Sequence, residues 1–201
     1  DWSSDVCSSD LRTIGGDHDV NEVFFDDVRV PVRQRIGDEG KGWDCAKYLL
    51  EFERGAGIYS PRLRAGFKRV GLMLQSLNKE EFLLKKQPQL LRKIAEVSID
   101  LDTFEMLELQ TLMSIEAGGD IGDVSSILKL RASRLKQNIG ELGVLVMGDQ
   151  ALRWDAQYAN ERDEQALLTQ TVLGDYLNSR AYTIFGGASE IQLGIIARGL
   201  L

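Results

Sequence analysis

A mainly α-helical fold, an antiparallel helical bundle preceded by a few β-strands, is predicted by three observations in the 201-residue sequence. Apolar residues recur at helical spacing through two long stretches, from Pro88 to the stop at Gly118 and from near Asp123 up to Gly148. Runs rich in β-branched and aromatic residues are confined to positions 12–36. Pro88 stands at the first turn of one stretch, and Gly118, Gly119 and Gly148 stand where the two stretches end. Hydrophobic residues at 43% and charged residues at 27% suit a soluble globular chain able to bury a substantial core.

Residues 1–11, DWSSDVCSSDL, show no period of 3.6 or 2 and are expected to be disordered or not native to the protein. In 12–36, the runs RTIGG, DVNEVFF and DDVRVPV read as two or three strands, the last closed by Pro31. They are too few to stand alone and read as the tail of a larger sheet. Residues 37–201 form the helical unit. After the Gly-rich connector IGDEGKGW, a first helix runs from about Trp43 and should be interrupted at Pro61, resuming as RLRAGFKRVGLMLQSL. Pro88 sits where a first-turn proline is tolerated and opens a helix with the stripe Leu90, Ile94, Val97, Leu101, Phe104 and Leu107, stopped at Gly118 and Gly119. Asp123 is placed to cap a further helix carrying Leu128, Leu135, Ile139, Leu142 and Val146 as far as Gly148. A polar loop and a last helical stretch lead to FGGASEIQLGIIARGLL.

Acidic residues outnumber basic ones 31 to 24, giving a formal charge of −7. No basic cluster is spaced to track phosphates, so nucleic acid and anionic membranes are not expected partners. Cys7 and Cys45 are far apart and indicate neither a disulfide framework nor a zinc site, which suits a reducing cytoplasm. No apolar run has the length of a membrane span, and the N-terminus lacks the regions of a signal peptide. With His18 as the one histidine, carboxylate-bridged iron of the Glu-x-x-His type is excluded.

Two sites carry candidate chemistry. In GWDCAKYLLEFERGAG, helical phase puts Trp43, Ala46, Leu50, Glu53 and Gly57 on one stripe, so Glu53 falls on the side expected to be buried. A carboxylate withdrawn from water either pairs with a cation across the helix packing or keeps a raised pKa, and the second state is that of a proton-abstracting base. Arg54 projects about 100° away around the helix and is not its automatic partner. At the other end, Gly186 and Gly187 form a turn, and Ser189 to Gln192 has the form of a capping box before Ile191, Ile195 and Ile196. Amides without helical acceptors collect there and attract anions or a developing oxyanion; equally, such a turn serves only to reverse the chain.

The order EVFFDDVRVP, IGDEGKGW, LLEFERG and RAYTIFGGASEIQLGIIAR resembles the C-terminal part of the flavin-dependent acyl-CoA dehydrogenases, over roughly residues 12–201. The resemblance implies the last strands of a middle β-domain followed by the C-terminal helical domain, with FAD as cofactor, an acyl-CoA substrate, and electron-transfer flavoprotein or a similar acceptor as partner. It also implies a homo- or hetero-oligomer. Family members remove a proton from Cα with a glutamate while hydride leaves Cβ for the flavin. In many of them the glutamate stands at the position of Gly186; in others it precedes an arginine on the first helix of this domain, the position of Glu53. The resemblance further implies that the Gly186 or Gly187 amide faces the thioester and that Ala188, Ser189 and Glu190 lie beside the diphosphate region of FAD. Where the family usually has threonine this chain has Ala188, and its R-x-x-F-G and Q-x-x-G-G segments are replaced by NKEEFLLKKQPQ and VMGDQ. Such losses are similar to those of bacterial members that work as two unlike subunits on steroid-side-chain or dicarboxylyl-CoA substrates. Without the rest of the β-domain the piece is not expected to turn over substrate. A non-catalytic partner subunit and a helical interaction domain are the alternative readings.

Overall fold

The computed structural model describes residues 6–16, 18, 20–55, 58–76, 87–119, 121–152 and 164–199, with the side chains of 6–10, 50–55, 76, 150, 152 and 164–170 outside that description. The chain is mainly helical, as expected. Strand β1 (Val6–Leu11) pairs antiparallel with β2 (Val20–Phe25), Val6 opposite Phe25 and Leu11 opposite Val20. Residues 6–11 are therefore ordered here, although the sequence gives no sign of it. The reason is visible in β2, all six residues of which are exposed: with neither face buried, no alternation of apolar and polar residues is needed. RTIGG is a turn between the two strands, with Gly16 N–H donating to Thr13 O at 3.0 Å. DDVRVPV is not a strand either. Asp27 takes φ 47, which bends the chain out of the ribbon, and a short 3-10 turn follows at Val32–Gln34.

The helices are α1 (Gly42–Gly55), α2 (Ser60–Ser76), α3 (Pro88–Glu116), α4 (Val124–Met147), α5 (Glu164–Asn178) and α6 (Ser189–Gly199). The helix is interrupted before Pro61, as expected, and Pro61 is the second residue of α2, a position where its missing N–H costs nothing. Pro88 likewise opens α3, which ends at Ala117 and Gly118, the latter at φ 83. Asp123 stands at the start of α4 but makes no side-chain capping bond; its backbone is already helical, at φ −71 and ψ −12, which turns the carboxylate away from the amides it would cap. Short 3-10 turns follow α4 at Gly148–Leu152 and α5 at Ser179–Thr183.

Helix α4 is the axis of the bundle and packs against α2, α3, α5 and α6. Cross-helix pairs fix the directions. Lys93 meets Glu141 at 3.1 Å and Asp100 meets Arg131 at 3.6 Å, so residue numbers rise along α3 as they fall along α4. Arg64 bonds Asp102 and Glu105 while Ser60 bonds Glu108, and α2 therefore runs antiparallel to α3. Leu101 and Phe104 of α3, Leu135, Leu142 and Val146 of α4, Val70 and Met73 of α2, and Val172 and Leu173 of α5 form the core. Each such side chain contributes about 1.5–3 kcal/mol on burial, so the predicted stripes of α3 and α4 are the faces that hold the bundle together. Gly140 and Gly143 let α5 approach α4 closely. A Cβ at Gly140 would lie 3.2 Å from Tyr176 Cα, and one at Gly143 would overlap Val172 Cγ1.

Helix α1 departs from the expected burial. Trp43, at the head of the predicted stripe, is 69% exposed, as are most of Tyr48 and Leu49, and Ala46 is only half-buried. No described residue covers that stripe at Trp43. Among the described residues no helix is long and apolar enough to cross a membrane.

Candidate active site

Between α2, α4 and the turn that follows α5 lies a cleft of about 1090 Å³. Ile58, Tyr59 and Leu63 supply its apolar wall on the α2 side, and Tyr182 and Phe185, with ring centroids 4.8 Å apart, supply the wall opposite. Gly186 and Gly187 lie at its edge.

The wall at Tyr59 is fixed from a distance in sequence. Glu108 of α3, only 4% exposed, accepts the backbone N–H groups of Tyr59 at 2.7 Å and Ser60 at 3.2 Å, and the Ser60 hydroxyl also donates to it. A carboxylate at a helix N-terminus satisfies orphan amides and complements the helix dipole. Burial, followed by the neighbouring Glu108 charge, raises the pKa of the Tyr59 phenol. Nothing local in the sequence marks Glu108, since its partners lie 48 and 49 residues away.

The opposite wall hangs from α4. Lys129 Nζ donates to Tyr182 O at 2.8 Å, and Ser133 Oγ donates to the same carbonyl at 3.0 Å. Lys136 Nζ stands 5.8 Å from the centre of the Tyr182 ring. Residues 129, 133 and 136 are spaced one helical turn apart, and this polar line beside the apolar stripe of α4 is the signal that reading the apolar positions alone overlooks. Burial lowers the Lys129 pKa, and Glu190 opposes that shift.

Gly186 at φ 65 and Gly187 at φ 100 occupy left-handed conformations that side chains rarely adopt, so the expected Gly-Gly turn is present. The expected capping box is not. Ala188 is the residue whose carbonyl accepts the first helical bond, from Gln192 N at 3.0 Å, and Ser189 is already the first residue of α6. The Gln192 side chain, instead of reaching back to the cap, lies 1% exposed against Gly187, with Oε1 and Nε2 both without a partner. Ala188 and Ser189 are half-buried and Glu190 is exposed. The N–H groups of Ser189, Glu190 and Ile191 have no acceptor within α6, as at any helix start.

The turn fits the diphosphate end of FAD in two respects. The two glycines carry no side chain at the turn, and the first N–H groups of α6 have no acceptor within the helix, an arrangement that suits an anion. The Glu190 side chain opposes such a ligand by charge. Glu53 lies in α1, but its side chain falls outside the described residues, as does that of Arg54. The first described residues after α1, Ile58 and Tyr59, line the cleft. Among the described residues no group of His, Cys, Asp and Glu could hold a metal ion.

Residues 40–201 match the family described as acyl-CoA dehydrogenase, C-terminal domain. Acyl-CoA dehydrogenase IpdE1 of Mycolicibacterium smegmatis is 30% identical over 191 residues, covering 95% of this chain and 44% of that protein. Acyl-CoA dehydrogenase FadE34 of Mycobacterium tuberculosis is 30% identical over 194 residues, covering 95% of this chain and 24% of that protein. The chain thus spans less than half the length of these relatives. Among solved structures, the Tcur3481-Tcur3483 steroid ACAD superposes with a TM-score of 0.78 at 20% identity, over 97% of this chain and 48% of that one. The ChsE4-ChsE5 complex from Mycobacterium tuberculosis gives 0.75 at 21% identity, over 99% and 50%.

Proposed function

The chain belongs to the acyl-CoA dehydrogenase family, and from that membership we propose that the full-length protein is an FAD-dependent dehydrogenase of an acyl-CoA thioester, with Glu53 as its base. Glu53 takes the Cα proton onto its carboxylate. The Gly186 and Gly187 amides donate to the thioester carbonyl, which acidifies that proton and holds the negative charge that develops on oxygen. FAD, when bound, would supply the acceptor for the Cβ hydride. Ala188, Ser189 and Glu190 would hold its diphosphate through backbone N–H groups, because Ala188 has no hydroxyl to offer and the Glu190 side chain repels phosphate.

The observation that carries this reading is that one cleft contains both the Gly186–Gly187 turn and Ile58, five residues beyond Glu53. Five residues reach at most about 18 Å even when fully extended, and this bound on the distance from Glu53 to the cleft wall at Ile58 supports the reading. The stripe left open at Trp43 would be covered by the remaining domains of the full-length protein. An oligomer, with electron-transfer flavoprotein or a similar acceptor as redox partner, completes the proposal. It is supported by the exposed apolar line Ile99, Met106, Leu109 and Met113 on α3, and by the similarity to the two-chain ChsE4-ChsE5 complex.

Gly186, standing where many family members carry the base, favours a second reading: a partner subunit that has lost chemistry and keeps the bundle for assembly. The test is optical. Full-length protein purified under native conditions should carry flavin absorbance that bleaches anaerobically on addition of an acyl-CoA. Flavin that stays oxidised with every acyl-CoA supports the non-catalytic subunit, and protein without flavin leaves only a helical interaction domain.

A further inference from the structure

Gln192 is a buried polar group that the proposed chemistry leaves unused. Its side chain is 1% exposed, and neither Oε1 nor Nε2 has a hydrogen-bond partner among the described residues. An amide withdrawn from water with both ends unpaired opposes folding, and that cost is recovered only where a hydrogen-bonding group reaches it. Helical side chains lean toward the N-terminus of their helix. That of Gln192 leans back from α6 under the preceding turn, where a Cβ at Gly187 would overlap Nε2. Gly186 and Gly187 line the cleft and Gln192 does not, so the amide lies on the far side of the turn from the cleft.

Gly186 at φ 65 and Gly187 at φ 100 flank a peptide unit with no Cβ on either side, which rotates more freely than one between residues with side chains. A trans peptide points its C=O and N–H in opposite directions. An orientation that turns Gly186 O inward, toward Gln192, therefore turns Gly187 N–H outward, toward the cleft. Resting on the dehydrogenase reading, we propose that Gln192 is the positioning residue of this turn: its Nε2 donates to Gly186 O and so aims Gly187 N–H at the thioester carbonyl. An acyl-CoA whose carbonyl accepts from Gly187 N–H binds that orientation alone and draws the turn into it. A donor held from behind has no reorganisation to undergo when negative charge develops on the carbonyl oxygen, so the effect falls on the rate more than on binding.

The experiment compares the full-length, FAD-loaded wild type with Gln192→Met, and with Gln192→Leu as a second variant lacking the amide. Two quantities are read. One is the infrared stretch of the thioester carbonyl in a bound acyl-CoA that has sulfur in place of Cβ, and so no hydride to give, with carbon-13 at that carbonyl. The other is the rate of flavin reduction by an acyl-CoA that bleaches the wild type. In the wild type the stretch should lie below its value in buffer, and both variants should return it toward that value. Flavin reduction should slow by at least about tenfold, a part of what losing a whole oxyanion donor costs, while the dissociation constant of the sulfur analogue changes by less than about threefold. An unmoved stretch and an unmoved rate overturn the proposal, as does a weakened affinity with the rate intact. Variants that unfold or lose FAD make the amide structural and overturn it too. A wild-type flavin that no acyl-CoA bleaches overturns the dehydrogenase reading beneath it.

Discussion

The Glu108 carboxylate and the Tyr59 backbone amide meet at 2.7 Å, so a residue in the middle of α3 caps the start of α2. The same carboxylate also accepts the Ser60 amide at the start of α2. Removing it leaves buried amides without an acceptor. Glu108→Ala is expected to cost about 2 kcal/mol and Glu108→Gln, which keeps one carbonyl oxygen, about 1 kcal/mol. Denaturant midpoints measure both, and equal midpoints for the wild type and Glu108→Ala would show that the cap contributes nothing.

Glycine substitutions should separate by position. At Gly143 an added Cβ overlaps Val172, so Gly143→Ala is expected to destabilise by about 1–3 kcal/mol through overpacking. At Gly194 in α6 nothing lies within 4 Å, and Gly194→Ala should stabilise by about 0.5–1 kcal/mol through helix propensity. Thermal unfolding of the two variants, with opposite signs of change, is the check.

The fold was largely legible because its signal is local. Leu101, Phe104, Leu135 and Leu142 recur at helical spacing, and the same residues fill the core. Pro88 marks a helix start and Pro61 a helix interruption by rules that need no tertiary context. What escaped depends on partners distant in the chain. Glu108 looks like any surface glutamate until α2 is laid against α3, and Gly140 and Gly143 look like helix weaknesses until α5 crosses them. The β1 strand escaped because an exposed two-stranded ribbon needs no alternation. At the candidate site the Gly186–Gly187 turn was readable, but the capping box was not realised, since Gln192 turns under Gly187 rather than toward the cap. The polar line Lys129, Ser133 and Lys136 was legible in principle from its spacing beside an apolar stripe.

Gln192 offers a test of that buried amide. With both polar atoms unpartnered at 1% exposure, its desolvation is uncompensated. Gln192→Met, of similar length and without the amide, should raise stability by about 1 kcal/mol or leave it unchanged. A loss of more than about 2 kcal/mol in calorimetry would mean that the amide has a hydrogen-bonding partner.

Lys129 gives a pH dependence with a definite sign. Burial lowers its pKa below the usual lysine value of 10.5. Between the folded and unfolded pKa values the unfolded chain binds more protons, so this residue's contribution to stability rises with pH and levels off above 10.5. Tyr59 acts oppositely: its pKa is raised above 10.0, so its contribution falls as the pH climbs past that value. In Lys129→Met the lysine contribution is gone and the tyrosine one remains. The stability difference, wild type minus Lys129→Met, should therefore increase as the pH is raised from 8 toward 10.5, measured by urea denaturation at each pH; a difference independent of pH would contradict the burial of the charge.

The role of Glu53 is tested most directly by Glu53→Gln in the full-length, FAD-loaded protein, mixed anaerobically with an acyl-CoA that bleaches the wild-type flavin. The amide cannot take the Cα proton. Flavin reduction should slow by at least about 100-fold, the lower range for loss of a general base, while the acyl-CoA still binds and perturbs the flavin spectrum. Bleaching at the wild-type rate would assign the proton abstraction to another residue.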